Sequence, residues 1–523
     1  MEVCSVEKIV DFIGKTPEYD WMGKPEKITD FVSESTYDIV VIGAGIAGCA
    51  AAQAAAEQGA KVICVEKFAT FTAHGTDVCG VGTKLQKAQG ISFDKVLAAR
   101  LIYQWGQSLT NYALIRYFVE HSGEVMDYYI DMAEKNKVMV TINNHMTARA
   151  DWDGLEDRFK IFRSPHNFAP MEGCKYPVVR WKVTTLINMI KDSAEELGAT
   201  FAFNTPAKQL VREGNRITGV IVQDAEGYKL IHATKGVIMA SGGISDNKKM
   251  IETWCPYVMR ADRTEHFPAG ANMGDGLIMG VWAGAAVTRC NPYPVIHPVN
   301  LSPMGPGITT SWPIFNKFGK RFCCEVSWEP IVTNARMQAP GNVAWTVWDK
   351  NYKERALQQE PMRGHEITDG VEEEVEETVR KGIYYKADTL EGLAEQLGMP
   401  ADAFVASVER YNKWCEQGFD EDFGVPARFL MPIKEGPFYA SNVSAWMLNV
   451  GHGLHVDANS QVCGEDDEPI GGLFAVGNMQ GDFMSNSYPV TLPGLNHGRS
   501  LVFARKVGQA LANDTVINGD QYN

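Results

Sequence analysis

The chain has 523 residues, 45% of them hydrophobic and 22% charged, which suffices for two or three domains with large cores. Its net charge of −15, without any Lys/Arg block, excludes a nucleic-acid binder or a protein held on an anionic membrane, and no run of about 18 apolar residues predicts a membrane span. Eleven cysteines, an odd number with no CxxC pair, form neither a disulfide framework nor a zinc site, so a reducing, cytoplasmic setting is expected.

Residues 1 to 35 mix Pro, Gly and acids around a lone Trp21 and read as an arm lying on the first domain. Residues 37 to 42 are an apolar β-branched run, and Gly43-Ala44-Gly45-Ile46-Ala47-Gly48 follows at once. An alanine-rich helix then runs to Gly59, and a second apolar run, 61 to 65, ends at Glu66 and Lys67. This order suits a dinucleotide. Gly43 permits the tight turn, Gly45 lets backbone approach a pyrophosphate, Gly48 lets helix and strand pack closely, and the helix N-terminus offers N–H groups to phosphate. Glu66 is placed to accept the adenosine ribose hydroxyls.

The next segment, AHGTDVCGVGTK, has the composition of a loop that tracks a cofactor backbone, which brings in Gly75, Thr76 and Gly82. Apolar spacing predicts helix over 92 to 135 and over 181 to 198, and strands over 217 to 222 and 236 to 240. Ser241, Gly242 and Gly243 end the last of these where side chains would block a cofactor. Gly274-Asp275-Gly276 precedes an apolar helix, with Asp275 either capping it or touching the cofactor.

These pieces, with their order, carry a resemblance. GAGIAG with Glu66-Lys67, GVIMASGGISDN, ANMGDGLIMGVWAGA, HP at 297 and 298, NKFGKRFCCE, GPFYA, GGLFAVGN and PGLNHGRSLVFARKVG are similar to the FAD-dependent fumarate reductase and 3-ketosteroid dehydrogenase superfamily. The resemblance implies an α/β fold in which a Rossmann-like FAD-binding domain, 36 to 290 and 445 to 523, encloses an inserted α+β substrate-capping domain, 291 to 444. It also implies FAD contacts at Asn478, Leu495 and Asn496, with the last helix pointing its first N–H groups at the flavin pyrimidine ring. His74 reads as a loop histidine rather than a covalent link, so the FAD is expected to be noncovalent. No second strand–GxGxxG–helix unit, CxxCH or Fe–S cysteine run appears, so the electron donor is expected to be external.

The chain departs from the fumarate reductase pattern where that family holds a dicarboxylate. His297 falls on its family position, but Glu329 stands at the proton-donating arginine, Thr491 at a carboxylate-binding arginine, and the second family histidine falls in FMSNS, which has none. Neither Glu nor Thr reproduces a guanidinium fork. Arg336 is close, but displaced by seven residues from the family spacing. SNSYPVTLPGLNHG instead resembles the ketosteroid dehydrogenase segment, with Tyr488 at that family's tyrosine and Gly494 at its carbonyl-binding glycine, two extra residues lying between them. A neutral phenol suits an enone. Tyr293, Trp312, Phe315, Trp328, Trp345 and Trp348 suggest an aromatic-walled pocket for a flat, hydrophobic small molecule. The expected activity is reduction of a bulky neutral enone, steroid-like or polyphenol-like, with Tyr488, His297, Gly494 and Glu329 as catalytic candidates. Packing for Tyr488, a structural hydrogen bond for His297 and a surface acid for Glu329 are the competing readings. Oxidation of a 3-ketosteroid and a flavin-carrying electron-transfer subunit are the alternative functions.

Overall fold

The structure is a computed structural model and describes residues 19–143, 161–179, 182–264, 268–300, 312–327, 329–359, 369–517 and 519. Most of the predicted N-terminal arm, and Trp328, lie outside these residues.

The dinucleotide half is built on an eight-stranded sheet. Ser33–Ile42 lies between Val62–Val65 and Gly227–Met239, parallel to both, with Ile39 opposite Val62 and Val40 opposite Val237. Thr200–Ala202 extends the parallel set on one side and Pro469–Ala475 on the other. Strands covered on both faces need unbroken apolar sequence, and Ile39 to Ile42 and Val62 to Val65 are all buried.

The helix Ile46–Glu57 is buried along almost its whole length because Leu495–Ala512 packs directly over it. A Cβ on Gly508 would stand 2.6 Å from the carbonyl oxygen of Ala51. Alanine recurs in the first helix because nothing larger fits between that helix and the sheet. The predicted helix 92 to 135 is two helices, Lys95–Trp105 and Tyr112–Lys135. Gln107 and Ser108 adopt left-handed φ values of 55° and 59°, which end the first. Asn111 starts the second by accepting the Ala113 N–H at 2.9 Å.

A second, six-stranded sheet is organised on Phe438–Gly451, its strands coming from the cap except for Arg263–Thr264 of the dinucleotide half at one edge. The first part of that strand pairs with Ala344–Trp348 and Tyr384–Ala387, the second with Tyr293–Asn300, all antiparallel. It passes residue 444 without a break and so carries the cap sheet back to the dinucleotide half. The aromatic-wall expectation is corrected here. Trp312, Phe315 and Trp348 are at most 1% exposed inside the cap cores, Trp345 packs on one of them, and Tyr293 belongs to the core of the dinucleotide half. The described rings are core packing, Tyr293 in the dinucleotide half and the others in the cap. No helix of the described residues is long and apolar enough to cross a membrane, and no metal-binding cluster occurs among them.

Candidate active site

The glycine loop folds as its residue types demand. Gly43 sits at φ 99°, and a Cβ there would be 2.6 Å from the Ala240 oxygen; one on Gly48 would be 1.7 Å from the Gly43 oxygen. A Cβ on Gly45 would meet nothing within 4 Å. Gly43 and Gly48 are therefore glycine for the protein's own packing, whereas Gly45 is open toward a cavity. That cavity gathers Gly43, Gly45, Glu66, Lys67, Ser241, Gly242 and Asp275 from four separate stretches of sequence. Glu66 is held by the N–H of Ala44 at 2.9 Å on one oxygen and of Phe68 at 3.0 Å on the other. Each oxygen keeps a second lone pair for a ribose hydroxyl.

Ser241 Oγ is buried with no hydrogen-bond partner among the described residues. An orphaned hydroxyl beside an open glycine and a helix N-terminus fits the polar chain of a dinucleotide. Asp275 does not cap its helix: Gly274, left-handed at φ 72°, holds the cap position, and the Asp275 carboxylate pairs with Lys67 at 2.8 Å. Gly82 has a local duty, since its N–H donates to Gln86 Oε1 at 2.7 Å where the capping box of Lys84–Ala88 forms.

At the far end, Gly477 packs against Ala47 of the first helix turn, the Asn478 side chain accepts from the Tyr293 hydroxyl at 3.1 Å, and Gly75 packs against the His497 ring. The start of Leu495–Ala512 differs from expectation. The Leu495 N–H donates to the Leu492 oxygen at 3.1 Å and the Asn496 N–H to Tyr488 Oη at 3.2 Å, so these two groups are spent within the chain. Gly494 holds the turn at φ 80°, pressed against Asp77 to Cys79, and its carbonyl accepts the Cys79 N–H at 3.0 Å. Tyr488 is buried, and burial pushes its phenol well above the usual range despite the Asn496 N–H, so it keeps its proton. It is a neutral phenol whose oxygen accepts the Asn496 N–H.

On the cap side, His297 and Glu329 come together although 32 residues apart in sequence: His297 Nδ1 lies 2.5 Å from Glu329 Oε2. His297 comes from Tyr293–Asn300 and Glu329 from the first turn of Glu329–Gln338. Glu329 is not a surface acid. Its side chain is 7% exposed, and its Oε1 is buried with no partner among the described residues. A carboxylate that buries one oxygen and shares the other with imidazole holds a proton on that contact, and the ring can pass a proton from one nitrogen to the other. Arg336 does not compensate for the missing arginines: it is bound to Asp262 at 2.8 Å, the Val443 carbonyl at 2.6 Å and Asn342 at 2.6 Å. Thr491 is 2% exposed, and its carbonyl accepts the Phe162 N–H at 2.8 Å.

Sequence reasoning passed over Arg499, fully buried in the last helix and bonded to Asn496. Its signal was a lone arginine among GRSLVF at helix spacing from the glycine turn, but an arginine of that kind reads as surface until the fold shows the helix enclosed.

Residues 38–490 match the family described as FAD binding domain. The chain is 25% identical over 452 residues to the NADH:fumarate oxidoreductase of Klebsiella pneumoniae, a match covering 85% of this chain and 44% of that protein. It thus spans less than half the length of that relative. It is 26% identical over 570 residues to the 3-oxosteroid 1-dehydrogenase of Mycolicibacterium smegmatis, with 90% and 96% covered. It is 24% identical over 507 residues to the vinyl phenol reductase of Lactiplantibacillus plantarum, with 92% and 97% covered. Among solved structures, the 3-ketosteroid Δ4-(5α)-dehydrogenase of Rhodococcus jostii superposes with a TM-score of 0.72 at 21% identity, covering 94% of this chain and 99% of that one, which establishes the shared fold.

Proposed function

The chain belongs to the FAD binding domain family, and from that premise we propose that it is an FAD-dependent oxidoreductase that reduces the activated C=C bond of a bulky, neutral enone. The observation that carries this reading is the His297–Glu329 pair, a proton-bearing contact where the fumarate-type pattern calls for arginine. Bound noncovalently, FAD supplies a two-electron reservoir that exchanges hydride with carbon. The chain's own residues do the rest. Glu66, Gly45 and Ser241 hold the dinucleotide, Tyr488 and the His297–Glu329 pair offer protons, and the turn at Gly494 presents an N–H to the substrate carbonyl.

Two further facts support this reading. The relatives named above are enzymes of fumarate, oxosteroids and vinyl phenols, all with conjugated or adjacent carbon centres. Tyr488 is a buried, neutral phenol, the form that donates a hydrogen bond to a ketone oxygen without requiring charge on the substrate. The electron donor is external in this reading.

The test is anaerobic photoreduction of the purified protein, followed by reoxidation with fumarate, cinnamate-type acids, isoflavonoids and ketosteroids. Neutral enones are expected to reoxidise it fastest. Fumarate as the best acceptor would overturn the substrate class, and a protein without releasable FAD would overturn the whole reading.

A further inference from the structure

Arg499 is a buried cation whose partners are all neutral. Its Nε donates to Asn496 Oδ1 at 3.1 Å, its Nη1 to the backbone oxygen and to Oε1 of Gln480 at 3.2 Å each, and its Nη2 to the Tyr293 hydroxyl at 2.5 Å. The rings of Tyr293 and Phe483 flank it at 5.4 and 5.2 Å. No carboxylate pairs with it among the described residues. Burial lowers its pKa, and Tyr293 and Tyr488 are the groups that draw it back. A guanidinium enclosed without a carboxylate is costly, and its four neutral acceptors offset only part of that cost.

Its hydrogen bonds lead to two residues that the family resemblance assigns to FAD. Asn496 lies in the first turn of the last helix, and the Tyr293 hydroxyl passes the contact on to Asn478 Oδ1 at 3.1 Å. Asn478 and Asn496 are those residues, and Arg499 bonds to the second directly and to the first through the Tyr293 hydroxyl. The N–H groups of Leu495 and Asn496 at the helix start are already donated to Leu492 and Tyr488 and so do not supply the charge compensation.

We propose that Arg499 is the fixed charge that stabilises the two-electron-reduced, singly protonated cofactor, acting through Asn496 and the Tyr293–Asn478 contact, and thereby sets the potential at which this protein delivers electrons. Arg499 is a positioning residue, because it acts through its partners and touches no reacting atom. The balance is two electrons and one proton taken up per cofactor, with the second proton left in solvent. This rests on the FAD reading.

The test uses the FAD-loaded wild type, R499M and R499K. FAD per chain is measured first, by absorbance after acid release; its absence from the wild type overturns the FAD reading itself and is scored before any potential. Two-electron potentials follow from dye equilibration. At the wild-type midpoint, R499M is expected to show a reduced-to-oxidised ratio at least about tenfold lower, and R499K to stay within about threefold. An FAD-replete R499M within about twofold of wild type overturns the proposal. So does R499K falling as far as R499M, which would assign the effect to the fork and its packing rather than to charge. Should R499M fail to fold, R499Q replaces it and the potential is followed with pH in mildly acid solution: one proton per two electrons in the wild type and two in the variant supports the proposal, and the same count in both overturns it. A merely structural arginine would move the melting temperature and leave that proton count unchanged.

Discussion

The dinucleotide half and the cap place their functional groups by different means. In the former, backbone approaches backbone: Gly48 against Gly43, Gly43 against Ala240, Gly508 against Ala51, each too close for a methyl group. In the latter, side chain meets side chain across long sequence separations: His297 with Glu329, Arg336 with Asp262, Arg321 with Asp420. A site built from backbone approach fails when atoms are added. A site built from paired side chains fails when a partner is removed, and the partner left behind is the larger part of the damage.

The sharpest way to break this contrast lies within the glycine loop. Gly48→Ala puts a methyl group 1.7 Å from the Gly43 oxygen. The variant is expected to lose bound FAD entirely and at least about 3 kcal/mol of stability, read by denaturant unfolding. Gly45→Ala meets no protein atom. It should keep its apo stability within about 0.5 kcal/mol and bind FAD about 10–100-fold more weakly, in a fluorescence titration, from about 1.5–3 kcal/mol of lost phosphate contacts. Normal FAD binding by Gly45→Ala would show that the loop is shaped for the fold alone.

The next effect belongs to the cap. Glu329→Gln keeps the volume and removes the charge that holds the proton on His297, so enone-dependent reoxidation is expected to slow by about 10²–10⁴. Reduction by dithionite, which does not use this pair, should be unchanged. Tyr488→Phe serves as the counterpart. If it alone slows reoxidation while Glu329→Gln turns over normally, the proton comes from the dinucleotide half, and the cap pair is structural.

Arg336→Met follows in size. Breaking its buried contact with Asp262 and Val443 should cost about 2–4 kcal/mol of stability in urea unfolding. The ratio of fumarate to enone turnover should not change, because this guanidinium is already occupied. A selective loss of fumarate turnover would make Arg336 the carboxylate site and undo the argument from the missing arginines.

The same contrast decides how much the sequence could tell. The parallel sheet, the glycine turn, Glu66 and the last helix were readable because each depends on local order: an apolar run, a glycine at a fixed step, an acid at the strand end. The break at Gln107 and Ser108 was not, since the apolar spacing continues on both sides of it. The aromatic residues of the cap were misread as a pocket wall, because composition does not tell a core ring from a lining one. Glu329 was named for its alignment position, but its burial and its contact with His297 follow from the packing of Glu329–Gln338 on Tyr293–Asn300, a long-range contact that no local pattern contains. Arg499 was missed for the same reason, as its four bonds reach three separate segments.

The smallest expected effect tests a place where the dinucleotide half uses the cap's method. His455, after the return strand, lies between two acids, with Nδ1 2.9 Å from Asp482 and Nε2 2.8 Å from Asp467. Burial lowers its pKa, but the Asp482 and Asp467 contacts more than reverse this, so the net shift is upward. A raised folded-state pKa means that the folded protein holds the proton more tightly than the unfolded chain does. The resulting stability is fully present below the unfolded histidine value, near 6.5, and is lost as pH rises through the folded value. His166 has the opposite sign, its pKa lowered to about 4 by burial, and contributes a slope only on the acid side. Comparing wild type with His455→Gln at each pH cancels His166 and isolates the first effect. The difference in unfolding free energy is expected to be on the order of 1 kcal/mol at mildly acidic pH and to shrink as pH rises. A difference that stays constant with pH would mean that His455 is held as a neutral hydrogen-bonding ring, and that the turn after the return strand, like the glycine loop, owes its shape to backbone rather than to charge.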